Sequence, residues 1–244
     1  MHPVSIAAEK VFSLFGLPVM NSLLTTWIVM GLLIVVAFLA TRKMQRVPSG
    51  LQNVFETIIE AFLGLVESVT NDHKKALEFF AYAFTIFMFV ACSNWMGLVP
   101  GVGAIGFGVN TTEFVPLFRA GSSDLSFTLA LAISTIVYVQ YMGFKHLHLG
   151  YLKKYFNFSG PIQFFVGILE IVSELAKIVS FSFRLFGNIF AGEVLLLVMT
   201  FLAPYIVPIP FYALEVFVGV VQGLVFTMLT LVFLNGATVG HDEH

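Results

Sequence analysis

The chain has 244 residues, of which 58% are hydrophobic and 11% charged, and its mean hydropathy is +0.94. Soluble domains carry about 25% charged residues, so this composition excludes one and predicts an integral membrane protein. The net charge of −2 is uninformative about partners, and no basic stripe suggests nucleic acid. The single cysteine, Cys92, excludes a disulfide framework and a thiolate metal site. No metal and no cofactor are predicted.

The first predicted span covers residues 22–40, with Trp27 near one end, where an indole can lie at the headgroup level. Basic residues follow this span at once. Because positive charge favours the cytoplasmic side, this end is predicted to be inside and the N-terminus outside. The basic residues are Arg42, Lys43 and Arg46.

Residues 51–69 have a different pattern, with apolar side chains at helical spacing opposite a polar face. An amphipathic helix of this kind lies along the membrane surface or packs on a partner, and the pattern fits both equally well. The apolar positions are Phe55, Ile58, Ile59, Phe62, Leu65, Val66 and Val69.

The second predicted span, residues 76–99, runs outward to a loop of residues 100–124 that is rich in Gly, Pro and Thr. The third span, residues 125–144, returns inward. Basic residues follow it, which agrees with the topology set by the first span. They are Lys145, His146, His148, Lys153 and Lys154.

The last two predicted helices cover residues 162–203 and 211–235 and form a hairpin. No proline lies between Pro161 and Pro204, so one helix of about 60 Å could form there. A bilayer core is about 30 Å thick, so this segment either tilts steeply or breaks into two spans. The predicted fold class is an all-α integral membrane protein, with about five membrane-crossing or tilted helices and one amphipathic helix in a single domain, residues 1–244.

Polar residues interrupt both helices of this hairpin. At 100° per residue, one stripe within about 80° holds five of them, while Glu193 lies about 180° from Arg184. If Glu193 faces Glu215 and Arg184 faces Gln222, the helices must cross steeply or unwind near Gly187 and Gly192. A charge at mid-membrane costs about 2.5 to 3.5 kcal/mol, so these residues predict a pathway or a relay. The stripe is Glu170, Glu174, Lys177, Arg184 and Asn188.

Two motifs in the hairpin resemble subunit a of the rotary, F-type ATP synthases. The resemblance implies a stator subunit without catalytic residues, beside a c-subunit ring, with two offset half-channels for protons or Na⁺. It implies the b-subunit peripheral stalk, other ATP synthase subunits and lipid as partners, and a bacterial plasma (inner) membrane. The motifs are Arg184-Leu185-Phe186-Gly187-Asn188, followed by Ala191-Gly192-Glu193, and Gln222-Gly223-Leu224-Val225-Phe226-Thr227-Met228-Leu229-Thr230.

The resemblance also implies roles for single residues. Arg184 corresponds to the essential arginine that faces the rotor carboxylate, and Asn188, Glu193 and Gln222 match polar positions that line the ion path. Glu215 stands where some members have histidine and others glutamate. The secondary channel candidates are Glu170, Glu174, Lys177, Asp124 and Asn94.

A guanidinium keeps its proton, so Arg184 can make a rotor carboxylate release its ion and can also separate the two half-channels. Glu193 and Glu215, if adjacent, cannot both ionise cheaply, and one of them is expected to hold a proton.

Plainer structural roles remain open for the other candidates. The stripe from Glu170 to Lys177 could be an ion-paired face, and Gln222 could join two helices. Asp124 could cap the third span, and Asn94 could serve packing alone. Two rival functions also fit: a secondary transporter that binds small anions at Arg184, and a membrane anchor for a redox enzyme. The choice between H⁺ and Na⁺ stays open.

Overall fold

The computed structural model describes residues 9–14, 17–42, 50–99, 105–108, 114–155 and 160–238. Five helices in these ranges are long and apolar enough to cross a membrane, and the predicted all-α membrane fold is confirmed. Lys43, Arg46 and parts of the predicted outer loop lie outside the described residues. The helices are α1 (Asn21–Thr41), α2 (Leu51–Thr70), α3 (His73–Met96), α4 (Leu125–Leu147), α5 (Pro161–Leu202) and α6 (Pro208–Thr238).

Two short antiparallel hairpins, which the sequence pattern did not predict, accompany the helices. The first pairs β1 (Lys10–Leu14) with β2 (Leu17–Met20), and the second pairs β3 (Gly106–Gly108) with β4 (Phe114–Pro116). Strand β2 leads directly into α1. Pairing satisfies backbone N–H and C=O groups in segments that connect or precede the spans.

Two helices begin earlier than predicted, each for a local reason. The Asp72 carboxylate accepts the backbone N–H of Lys74 at 2.8 Å, and this N-cap starts α3 at His73. Helix α6 starts at Pro208 and has Pro210 in its first turn. Proline is tolerated there because the first N–H groups of a helix have no intrahelical partner.

Helix α5 is one continuous helix of 42 residues, which corresponds to about 63 Å. Of the two arrangements that the sequence allowed, the structure therefore has the single long helix. The chain turns over residues 203–207 and α6 packs back on α5. Neither Gly187 nor Gly192 interrupts the helix.

The core forms where α3, α4 and α6 meet. One cluster joins these helices to α2 through buried residues such as Phe62, Val66 and Phe79. A second cluster joins α3 and α4 to α5 and α6, with Leu185 and Phe226 among its buried members. On α2 part of the apolar stripe stays exposed, so contact with lipid and contact with a partner both remain open. Its exposed members include Ile58, Ile59 and Leu65.

Candidate functional site

Arg184 lies near the middle of α5 and is half-buried. Its Nη2 atom donates to the Ser180 hydroxyl at 3.1 Å, and its guanidinium carbon lies 5.9 Å from the ring centre of Phe181. Among the described residues, no carboxylate lies within ion-pair distance of this guanidinium. The positive charge is therefore not neutralised by an acid in the described part of its own chain.

A shallow cavity of about 250 Å³ opens beside this guanidinium. Two cations, Lys177 and Arg184, lie along it two helical turns apart on one face of α5. Its other lining residues are Ser173, Ala176, Ser180, Phe181, Leu229 and Phe233.

The side chains of Asn188 and Gln222 join α5 to α6. Asn188 Nδ2 donates to Gln222 Oε1 at 2.7 Å, and Gln222 is only 4% exposed. The sequence pattern had placed Arg184 opposite Gln222, whereas the structure gives that position to Asn188, one turn further along α5. Gln222 thus links two helices, and its role in an ion path stays a prediction.

Glu193 forms an ion pair with Arg119, a residue that the sequence analysis did not single out. Arg119 Nη2 lies 3.5 Å from Glu193 Oε2, and the Arg119 side chain is 8% exposed. An arginine in a predicted outer loop is expected to be solvated, so the burial of Arg119 does not follow from the charge pattern. The available signal was the run Ala120-Gly121-Ser122-Ser123, whose small side chains let the loop fold into the bundle.

Glu215 of α6 packs against the backbone of Gly192. The residue is 7% exposed, and a Cβ atom added at Gly192 would overlap the Glu215 carboxyl group. The structure thus brings Glu215 to the residue next to Glu193, while Glu193 itself faces Arg119. A proton shared by the two acids stays a prediction.

The predicted inner part of the polar stripe contains an ion pair. Lys177 Nζ contacts Glu174 Oε1 at 2.8 Å and lies 4.7 Å from the ring centre of Phe233. Glu170 is half-buried one turn before Glu174. For Glu174 and Lys177 the ion-paired interpretation is therefore correct, and their part in a channel is not excluded by it.

Two tyrosines from the segment between α4 and α5 converge on Gln140. The Tyr151 and Tyr155 hydroxyls donate to Gln140 Oε1 at 2.7 and 2.9 Å, and the Tyr155 hydroxyl oxygen also lies 3.5 Å from Glu174 Oε1. Burial raises the pKa of both phenols above the usual value, and the nearby Glu174 raises each pKa further. Both hydroxyls therefore stay protonated and act as donors.

Asp124 caps α4, as one of its two interpretations predicted. Its Oδ1 accepts the backbone N–H of Ser126 at 3.0 Å, and its Oδ2 accepts the Ser22 hydroxyl at 2.7 Å. Other buried polar contacts continue from this cap, because Thr25 Oγ1 accepts the backbone N–H of Arg119 at 3.1 Å. A polar interior therefore exists at the predicted outer end of the bundle.

Asn94 ties α3 to α6. Its Nδ2 donates to the carbonyl of Gly219 at 3.0 Å, and the neighbouring Trp95 donates to the carbonyl of Val216 at the same distance. Asn94 is 3% exposed, so a packing role accounts for its position. Its part in an outer access route stays a prediction.

Comparison with known proteins decides the family. The model of the family described as ATP synthase A chain matches residues 23–235, which is most of the chain. The chain belongs to the ATP synthase A chain family.

Similar members of the ATP synthase A chain family come from several bacteria. ATP synthase subunit a of Helicobacter hepaticus is 37% identical over 222 residues, covering 90% of each chain. The subunit of Moorella thermoacetica is 34% identical over 233 residues, covering 95% of this chain and 97% of its own. That of Campylobacter jejuni is 36% identical over 214 residues, covering 86% and 87%. The family resemblance drawn from the two motifs is thus confirmed.

Proposed function

We propose that this chain is the stator subunit a of an F-type ATP synthase. It carries protons or Na⁺ through two offset half-channels to and from the carboxylates of a c-subunit ring, and so couples ion flow to rotation and ATP synthesis. The observation that carries the proposal is Arg184, a half-buried cation within a membrane-spanning helix whose only hydrogen bond in the described structure is to Ser180. A carboxylate from outside the chain forms the ion pair with Arg184.

The chemistry of the guanidinium suits that role. A charge at mid-membrane costs about 2.5 to 3.5 kcal/mol on insertion scales, and a rotor carboxylate that reaches Arg184 offsets this cost. The ionised carboxylate is favoured beside the cation, so the rotor site releases its ion there. Because a guanidinium does not give up its proton, Arg184 also prevents ions from passing directly between the half-channels.

Polar groups on two sides of Arg184 supply the routes. Toward the predicted outer end are Glu193, Glu215 and the buried contacts around Asp124. Toward the predicted inner end are the Glu174–Lys177 pair and the donor hydroxyl of Tyr155. Asn188 and Gln222 lie between these two sets. The ion moves between polar groups on either side and meets the ring only at the arginine.

A stator subunit of this kind has a defined place in the cell. The subunit lies in a bacterial plasma (inner) membrane with its N-terminus outside and its C-terminus in the cytoplasm. It contacts the c ring, the b-subunit peripheral stalk and other subunits of the complex, and it has no active site of its own. One charge crossing 100 mV corresponds to about 2.3 kcal/mol, so several ions must cross for each ATP.

Reconstitution of the whole complex tests this function. ATP-driven pumping is measured in vesicles, with H⁺ and Na⁺ as separate ions, for the wild type, Arg184→Ala and Arg184→Lys. We expect Arg184→Ala to abolish pumping and Arg184→Lys to leak or stall, because a desolvated lysine can lose its proton. Arg42→Gln, which removes an exposed arginine at the end of α1, is the control.

Pumping that survives Arg184→Ala overturns the proposal. Solute uptake by the purified chain without a c ring does so too, because it favours the anion transporter.

A further inference from the structure

Arg119 is held in place from three directions. Its backbone N–H donates to Thr25 Oγ1 of α1 at 3.1 Å, its Nε donates to Ser123 Oγ at 3.0 Å, and its Nη2 faces Glu193 of α5 at 3.5 Å. The residue as a whole is 7% exposed. The Ser123 hydrogen bond holds the guanidinium independently of the acid that it faces, so the cation is partly pre-organised for Glu193.

The acid that it faces points away from Arg184. Glu193 is nine residues beyond Arg184 on one unbroken helix, which places the two side chains about 180° apart. The Oε2 atom of Glu193 is fully buried and is the oxygen that meets Arg119. Opposite sides of α5 thus meet two arginines: Arg184 projects from one side, and Arg119 of the segment before α4 meets Glu193 on the other.

Few other charges surround this pair. Arg119 and Asp124 come from the segment before α4, and Glu215 comes from α6, where its carboxyl group meets Gly192. Helix α1 and the halves of α3 and α4 that pack at this end carry no charged residue. The charges at this end of the bundle are Arg119, the acids Glu193, Asp124 and Glu215, and, next to Asn21 at the start of α1, Glu9 and the exposed Lys10.

We propose that Arg119 is a positioning residue for ion translocation, which holds the Glu193 carboxylate toward the outer polar interior and away from Arg184. This inference rests on the proposed function. Without the guanidinium, Glu193 loses its ion-pair partner and is free to change rotamer. The outer half-channel then loses its fixed acceptor, while Arg184 and the ring contact stay intact.

Pumping by the reconstituted complex tests the role of Arg119. We compare Arg119→Gln, Arg119→Lys, Glu193→Gln and the double variant Arg119→Gln/Glu193→Gln at equal amounts of the subunit in the membrane. Arg119→Gln is expected to lower the pumping rate about tenfold, because the Glu193 carboxylate loses the cation that it faces at 3.5 Å. Arg119→Lys, which keeps the charge, is expected to restore more than half of the rate. The double variant is expected to pump within twofold of Glu193→Gln.

A purely structural role for Arg119 gives a different pattern. Wild-type pumping by Arg119→Gln overturns the inference, as does failure of the lysine variant to pump better than the glutamine variant. A double variant that is slower than Glu193→Gln by the full factor of Arg119→Gln overturns it as well. If Glu193→Gln pumps no faster than Arg184→Ala, the double variant carries no information. The inference then stands only if Arg119→Lys pumps faster than Arg119→Gln, and it is overturned otherwise.

Two further comparisons complete the design. If Arg119→Gln does not accumulate in the membrane, Arg119→Met replaces it, because an apolar chain of similar length leaves no buried amide unpaired. Arg184→Ala is measured in the same series. Normal pumping by that variant counts against the proposed function, whereas lost pumping by it beside normal pumping by Arg119→Gln counts against Arg119 alone.

Discussion

Replacement of Gly192 by alanine is expected to weaken the packing of α5 on α6. The added Cβ overlaps the Glu215 carboxyl group, and this side chain is buried. Overpacking a close contact costs about 1 to 3 kcal/mol, and alanine returns about 1 kcal/mol of helix propensity relative to glycine. The part that yields is the far end of a flexible side chain. The free energy of unfolding should therefore fall by about 1 kcal/mol.

Denaturant titration of the purified subunit in mild detergent measures this change. Gly236→Ala is the matched control, because it also adds a methyl group to a glycine of the hairpin and meets nothing within 4 Å. Combining Gly192→Ala with Glu215→Asp shortens the acid by one methylene and should recover most of the loss. Contacting residues couple in such cycles by about 0.5 to 3 kcal/mol. If Gly192→Ala is as stable as Gly236→Ala, or if the double variant recovers nothing, the packing argument is wrong.

Three more substitutions test other contacts. Asp124→Ala should lower the free energy of unfolding by about 1 kcal/mol through loss of the N-cap, and Asp124→Asn by less, in the same titration. Asn188→Leu should cost about 1 to 3 kcal/mol because it leaves buried Gln222 unsatisfied, whereas Asn188→Leu with Gln222→Leu should be close to neutral. The raised pKa of Tyr155 means that its contribution is present below pH about 10 and is lost at higher pH. A stability–pH profile of Tyr155→Phe should therefore approach the wild-type curve above that pH, and parallel curves would contradict this.

The spans could be predicted from the sequence because each depends on local chemistry. A run of apolar residues predicts a span wherever it occurs, and the absence of proline between Pro161 and Pro204 allows one long helix. The N-cap role of Asp124 is equally local, since an acid directly before an apolar run has a nearby N–H group to accept. The predicted starts at residues 76 and 211 come later than the observed starts at His73 and Pro208, because hydrophobicity alone takes no account of the Asp72 cap and the first-turn prolines.

The partners within the site could not be predicted in the same way. Helical angles give the direction of a side chain but not the segment that it meets. These angles correctly place Glu193 and Arg184 on opposite sides of the helix. Nothing near Glu193 in the sequence, however, points to Arg119, which lies 74 positions earlier. Asn188, and not Arg184, lies opposite Gln222. This difference of one helical turn depends on how the two helices pack.

The unbroken course of α5 has a mechanical consequence. Arg184 and Glu193 are carried by the same rod, and no proline or unwound turn between them can act as a hinge. A sideways displacement of the helix axis at Arg184 therefore also moves the backbone of Glu193. The backbone segments that carry Arg184 and Glu193 therefore move together as one rigid body.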